Sequence, residues 1–448
     1  MSGRNLILMF LVIAACVVCR WRTGASPNSR YVADAYRDIE DLALNPPPNR
    51  ELVGGAMRGM MGVLQERGDP HSRYISRVQA EPFMQEMEQE FGGIGVRIRL
   101  LGVPPKLYLV GMPEPGSPAE NAGVQPNDQV ISIDGQPAAG LTLEQIVDRM
   151  RGHVGEPIEL AVLHEGDAAP VELRMTRDVI NVPSVIGDRR TPSGDWLYLL
   201  EEDPRVAYVR LMNFGNKTVR ELTGVLRGLG PSPAKALVLD LRENAGGALD
   251  AAVGVSDQFL PAEAPIVETR GRRQVVEDAY ESTGEGFFLE PPMVVLVNRN
   301  SASASEIVAA CLQDNHRAGV AGERSFGKGT VQRIIPMEAG RSYLKLTTSS
   351  YWRPSGKDIN RGPDASESDQ WGVTPDPGLL VKQSDSEHER FLKWRAARDL
   401  TVFDAETGEV LSTPPAELLE EEPRIDGYVD RALMKALEHL QSQLDAGA

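Results

Sequence analysis

Residues 294–332 read VVLVNRNSASASEIVAACLQDNHRAGVAGERSFGKGTVQ, and the organisation of the chain follows from this stretch. The apolar run Met293 to Val297 stops at the polar Asn298-Arg299-Asn300, small residues follow, and an apolar periodic segment starts near Glu306. That pattern predicts a buried strand, a tight turn and a helix. The turn sets Ser301, Ser303 and Ser305 at the C-terminal end of a strand, where α/β sheets commonly carry their chemistry. A lysine between two glycines, Gly327-Lys328-Gly329, marks a second loop, and Thr330 to Met337 reads as another strand. Each part also has a purely structural reading. Ser303-x-x-Glu306 fits a helix capping box, and a glycine-flanked lysine is usually a solvated loop tip. Spacing alone does not bring a serine and a distant lysine together.

The 448 residues suffice for about three domains. A hydrophobic fraction of 41% and a charged fraction of 25% describe an ordinary folded protein. The net charge of −17, from 47 basic and 64 acidic residues, argues against nucleic acid and against a broad anionic-lipid surface. Part of the acidity sits in Glu417 to Glu422. Three cysteines give no disulfide framework; Cys311 falls on the apolar side of the helix after Ser303 and reads as core. No cofactor is expected, and no metal either. No Cys, Asp or Glu stands at metal-ligand spacing from His71, which reads as a turn residue.

Arg4, the apolar run Leu6 to Cys19 and Arg20-Trp21-Arg22 have the make-up of an export signal, so residues 1–25 are expected to be a signal peptide or membrane anchor. Cleavage after Thr23-Gly24-Ala25, lipidation of Cys16 in a lipobox-like Ile13-Ala14-Ala15-Cys16, and an uncleaved anchor all remain open. The protein is therefore expected to cross the cytoplasmic membrane and to be periplasmic or membrane-anchored.

Residues 26–90 are helical in pattern. Tyr31, Val32, Tyr36, Ile39 and Leu42 recur at helical spacing before Asn45-Pro46-Pro47-Pro48, and a second helix runs from Glu51 to about Gln65. Its Met57, Met60 and Met61 suit a core or a dimer face. Residues 91–178 open on Phe91-Gly92-Gly93-Ile94-Gly95-Val96 and continue through Gly116-Ser117-Pro118-Ala119, Asn121-Ala122-Gly123 and Asp128-Gln129-Val130-Ile131-Ser132-Ile133-Asp134-Gly135. This run resembles a PDZ domain, a small β-barrel-like unit. Asn127-Asp128 stands where that family usually has Gly-Asp. The amides of Gly92, Gly93, Ile94, Gly95 and Val96 would form its carboxylate loop, and a bound peptide would add as a strand. Thr142 to Arg151 is the expected helix beside the groove.

Residues 179–380 read as an α/β core, with a strand at Arg205 to Leu211 and a buried one at Ala236 to Leu241. The second leads into Arg242-Glu243-Asn244-Ala245-Gly246-Gly247. Together with SASASEI, GERSFGKGTVQ, Asp69-Pro70-His71-Ser72-Arg73-Tyr74 and Gly372-Val373-Thr374-Pro375-Asp376, this segment resembles the carboxy-terminal processing, or tail-specific, serine proteases. Ala245 replaces that family's usual proline. The resemblance implies Ser303 as nucleophile, Lys328 as base and Gln332 as the residue orienting the base. It also implies an oxyanion hole from Gly246 or Gly247 with Ala304. Asp240 and Arg242 read as scaffold. The chemistry is coherent: lysine serves as base only when neutral, so its pKa must fall from ~10.4 to roughly 7–8, and burial can supply that shift.

The fold class is thus multidomain and mixed α/β: helical N-terminal region, PDZ domain, tail-specific protease core and a helical tail at 381–448 with a last helix from Ile425 to Leu444. That helix carries Tyr428, Val429, Leu433, Leu437 and Leu440 along one side. The expected function is an exported serine endopeptidase that recognises the free, apolar C-terminus of protein or peptide substrates and cuts near it. The helical ends are candidate faces for a homodimer or higher oligomer. Two other readings compete. A PDZ-based scaffold with an inactive core is countered by the intact Ser303, Lys328 and Gln332 set. A Ser303/His316/Asp314 hydrolase fails because His316 sits roughly 20 Å down the helix that Ser303 opens.

Overall fold

The computed structural model describes residues 26–88, 90–229, 234–362, 364–404, 407–413 and 428–446. The expected export segment, Cys16 within it, the acidic Glu417 to Glu422 and the start of the last helix at Ile425 lie outside the described residues. The chain divides into two compact units, residues 1–76 with 334–346, and residues 77–333 with 347–448.

In the first unit, α1 (Pro27–Leu42) and α2 (Asn49–Glu66) are followed by the short strand Arg73–Ile75, which pairs antiparallel with Tyr343, Leu344 and Lys345. Ser26 caps α1 by accepting from Ser29 N–H. The apolar stripe read from α1 faces solvent: Tyr31, Val32, Ile39 and Leu42 are exposed. Of the α2 methionines, Met61 is buried and Met60 is exposed. Asp69 closes the following turn by accepting from the backbone of His71 and Ser72 and from the Ser72 hydroxyl.

The second unit begins with the six-stranded PDZ sheet, strands Ile98–Leu101, Lys106–Leu109, Gln129–Ile133, Pro157–Leu163 and Val171–Thr176 in that order, with Gln136–Pro137 pairing off Gln129–Ile133. α3 (Leu143–Met150) lies across it, started by a full Thr142/Gln145 capping box. Ile146 and Met150 on its inner face join Leu107, Leu109, Ile158 and Leu160 in a core of their own. Asn127 holds φ 68°, the left-handed conformation that glycine usually supplies and that asparagine tolerates best among the other residues. That explains why Asn replaces Gly there.

The protease core is a second sheet: β1 (Val185–Ile186), β2 (Val206–Leu211), β3 (Ala236–Asp240), β4 (Met293–Val297) and β5 (Gly319–Gly322). β1 is antiparallel to β2, and the remaining pairs are parallel. Every residue of β2, β3 and β4 is buried, as expected of parallel strands covered on both faces. Alternation then divides the side chains. Leu237, Leu239, Val295 and Val297 face one core with α4 (Thr218–Leu229), α5 (Leu249–Asp257) and α6 (Ala304–Asp314). Val238, Val294 and Leu296 face a core built with Leu433, Leu437 and Leu440. Those leucines belong to α8 (Arg431–Ala446), so the tail helix covers the second face of the sheet. Val429, expected on the same stripe, is instead exposed because it precedes the helix, and only residues within it share the helical period. α7 (Asp385–Leu400), rich in charged residues, is started by a Ser384/Glu387 capping box.

Candidate active site

Parallel strands end at the same edge, so the loops after β3, β4 and β5 converge there. The loop after β3 is held by Asn244. Its Nδ2 donates to the Leu211 carbonyl at 2.8 Å, its Oδ1 accepts from Gly246 N–H at 2.9 Å, and its own carbonyl accepts from Ala302 N–H at 3.0 Å. The stiffness that a proline would lend at Ala245 comes from this buried side chain instead.

The three serines of the turn separate clearly. Ser301 Oγ donates to the Leu241 carbonyl and Ser305 Oγ to the Asn244 carbonyl, both at 2.8 Å. Those two hydroxyls tie the turn to the β3 loop. Ser303 sits at the N-cap of α6 with φ 56° and ψ −114°. A non-glycine residue in such backbone stores of order 1–3 kcal/mol of strain and persists only where its surroundings hold it. Gly246 packs directly on it: a Cβ there would lie 2.8 Å from Ser303 Cβ and 3.0 Å from Ala304 N. At φ 102° only glycine suits the position. The amide of Gly246 is spent on Asn244, whereas those of Gly247 and Ala304 have no hydrogen-bond partner among the described residues.

Glu306 joins the serine turn to the lysine loop. It is fully buried at the third position of α6. Its Oε2 accepts from Ser303 N–H and from Lys328 N–H, each at 2.8 Å, while Oε1 accepts from Ser325 Oγ and Gly327 N–H, each at 2.6 Å. The backbones of Ser303 and Lys328 therefore meet on one oxygen atom. Burial pushes the Glu306 carboxyl up, opposed by these four hydrogen bonds. Burial likewise pulls the Lys328 amine below the ordinary lysine value, and the Glu306 charge works in the other direction. Lys328 Nζ has no ion pair or hydrogen bond among the described residues. Gln332 lies on the strand Thr330–Met337, which has the bounds expected from sequence. Its amide nitrogen donates to Thr330 Oγ1 at 2.9 Å and to the Thr330 carbonyl at 3.2 Å.

Tyr351 completes the setting. Its N–H donates to the Gly329 carbonyl at 2.6 Å, beside Lys328, and its hydroxyl lies within hydrogen-bonding reach of the Ser303 side chain. Burial pushes this phenol up to about 12, so it stays a neutral donor across the physiological range. The hydroxyl neighbour of Ser303 was invisible in the sequence, because nothing local marks a tyrosine on a distant strand. Glu306 was visible only as a capping residue. Asn244 stood within a recognised motif but without a role. Cys311 is fully buried with its thiol pushed up to about 12, which makes it an inert core residue.

In the PDZ unit, Gly92 and Gly93 run antiparallel to Val179 and Asp178 in a two-stranded ribbon, and Ile94, Gly95 and Val96 of the expected loop follow it. Ile94 is buried in the PDZ core. Gly95 holds φ 81°, and a Cβ there would lie 2.3 Å from Ser117 Cβ. Long-range pairing with residues 178–181 could not be read from the glycines alone.

Comparison with known proteins agrees with this architecture. The sequence profile of Peptidase family S41 matches residues 205–377 and that of a PDZ domain residues 110–163. A carboxy-terminal-processing protease of Bartonella bacilliformis is 36% identical over 386 residues, which cover 85% of this chain and 81% of that protein. A carboxyl-terminal-processing protease of Synechocystis sp. is 31% identical over 389 residues, covering 86% and 85%. Among solved structures, a photosystem II D1 C-terminal processing protease shares 26% identity, with 80% of this chain and 94% of that chain covered and a TM-score of 0.44.

Proposed function

The chain belongs to the carboxy-terminal processing protease family, and from that premise we propose that it is an exported enzyme that cuts proteins near their free C-termini, with Ser303 as nucleophile and Lys328 as general base. The observation that carries this reading is the Glu306 carboxylate, which accepts from the backbone of both residues at once. Neutral Lys328 takes the Ser303 Oγ proton as the oxygen attacks the scissile carbonyl, then returns it to the leaving amine. The amides of Gly247 and Ala304 receive the developing oxyanion, a donor of that kind being worth ~2.7–4 kcal/mol in the transition state. Gln332, its nitrogen engaged by Thr330, keeps its carbonyl oxygen available to orient the lysine amine during reaction without adding a charge that would hold the proton on it. A water repeats the attack on the acyl-enzyme and releases the product.

The PDZ unit captures the substrate's C-terminal carboxylate at Ile94 to Val96 and seats its last apolar side chain. Residues 1–25 direct export, to the periplasm or to a membrane anchor, and the exposed apolar stripe of α1 pairs with a second copy of the chain. Cell fractionation and analytical ultracentrifugation test these two points.

The decisive experiment incubates the purified chain with an unfolded protein ending in small apolar residues. Ser303→Ala and Lys328→Ala should each lower cleavage on the order of 10⁴-fold or more, as loss of a nucleophile or its base does elsewhere. Activity of the unaltered enzyme should climb as pH rises through a pKa below the ordinary lysine value, because only the deprotonated amine is a base. Full activity in Ser303→Ala would refute the assignment. Equal turnover of peptides with free and amidated C-termini would remove the carboxylate-capture part.

A further inference from the structure

Beside the lysine loop lies a groove of about 700 Å³ whose walls carry Arg299, Arg324, Phe326, Arg361, Trp371 and Lys382. Four cations gathered against two lining carboxylates, Glu323 and Glu367, stand out in a chain of net charge −17. The groove is joined to the proposed catalytic loop. Arg361 N–H donates to the Gly327 carbonyl at 2.8 Å, and a Cβ on Gly327 would lie 2.7 Å from Arg361 Cβ and 2.9 Å from the Trp371 ring. Phe326 N–H donates to the Ser301 carbonyl at 2.9 Å, yet the Phe326 residue is 52% exposed.

Two of the cations, Arg324 and Arg361, are held in place with little countercharge. The guanidiniums of Arg324 and Arg361 each stack on Trp371, 4.4 Å from its ring centre. Arg324 is fixed by the carbonyls of Glu367 and Asp369 and by Thr374 Oγ1, and the Glu367 carboxylate, itself 83% exposed, comes no closer than 4.0 Å. Arg299 does have partners, Glu323 and Asp385. Arg361 and Lys382 have no ion pair among the described residues. Stacking removes rotamer freedom in advance, so a carboxylate ligand meets a positive field that is already arranged.

We propose that this groove binds an acidic segment of the polypeptide substrate, with Asp or Glu side chains on Arg361, Lys382 and Arg324 and a neighbouring apolar side chain on Phe326. The proposal rests on the reading of Ser303 and Lys328 as the protease dyad. It makes the enzyme selective for substrates with acidic residues in the stretch that runs past the lysine loop. The contacts are remote from the reacting bond and equally strong before and during reaction, so they act through KM rather than kcat. Exposed pairs give a factor of a few each, and together about three- to tenfold. Salt should weaken them.

The test compares two peptides with the same apolar free C-terminus, one carrying a Glu-Glu pair upstream and the other Gln-Gln at the same positions. The full chain should show a roughly three- to tenfold lower KM for the Glu peptide at low salt. That ratio should fall toward one in Arg361→Gln/Lys382→Gln and in high salt. In parallel, fluorescence anisotropy of both labelled peptides on the Ser303→Ala chain reads binding without chemistry. Tighter binding of the Glu peptide, lost on adding the two groove substitutions, supports the proposal even where no cleavage is seen; absent cleavage then counts against the dyad alone. Equal handling of the two peptides in both assays overturns the groove, as does a Glu preference that survives the double substitution.

Discussion

Ser303 occupies strained backbone at φ 56°, and its N–H donates to a carboxylate three residues on. Glu306 offers two oxygens to four donors, so Glu306→Gln would halve the acceptors and set an amide N–H against other N–H groups. Each buried donor left unpaired costs about 1–3 kcal/mol. The expected outcome is a clear fall in Tm with at least a tenfold loss of proteolysis. The activity that remains should have its pH profile shifted down, because the charge that raises the Lys328 pKa is gone. Tyr351→Phe is milder: kcat should drop roughly three- to tenfold, the worth of one neutral hydrogen bond, with KM unchanged. Steady-state kinetics on a single peptide reads both numbers. At this scale the sequence left Ser301, Ser303 and Ser305 equivalent by pattern, since a side chain's partner across a loop has no local signature. The carbonyls of Leu241 and Asn244 separate them.

Elements were more legible than contacts. The strand-turn-helix around Ser303 and the helix beside the PDZ groove follow from periodicity and caps, which are local properties. What each element packs against is not. α7 looks like a solvated charged helix, yet its Arg395 and Arg398 close on Asp188, which is buried. Burial alone would push Asp188 up; the Arg398 hydrogen bond and the two guanidinium charges outweigh it and bring the carboxyl down to about 2. A carboxyl depressed on folding stabilises fully above its unfolded value, near 3.8, and loses that contribution as pH falls from there toward 2. The shift is worth about 2 kcal/mol. Asp188→Asn should therefore lower stability at pH 7 and flatten the loss of stability between pH 4 and pH 2, measured by urea unfolding across that range.

The largest structural question is how the PDZ unit is coupled to the protease core. Glu114 of the PDZ unit faces Arg97 within that unit at 3.2 Å and the buried Arg190 of the strand Arg189–Arg190 at 3.1 Å. The Nε and Nη1 of Arg190 have no hydrogen-bond partner among the described residues, so Glu114 is the carboxylate in direct contact with it, with Asp399 adding charge from farther away. Glu114→Ala would leave that guanidinium buried without a carboxylate in contact, at a cost of about 3 kcal/mol, the low end for a buried pair because Glu114 keeps some solvent contact and Asp399 still acts at a distance. Hydrogen exchange should then quicken at residues 189–190 and 196–197, while the PDZ core around Leu107, Ile146 and Leu160 stays protected.

The sequence by itself determined the family and the mixed α/β fold class, because the motifs are contiguous and their glycines, caps and apolar runs act over a few positions. Only the tertiary structure decided what those residues meet. Glu306 gathers two loops, Asn244 takes over the stiffening of the loop after β3, Tyr351 arrives from a distant strand, and residues 90–93 pair in a ribbon with 178–181. Each of these is a contact between segments far apart in the chain, where neither residue alone carries any sign of the other.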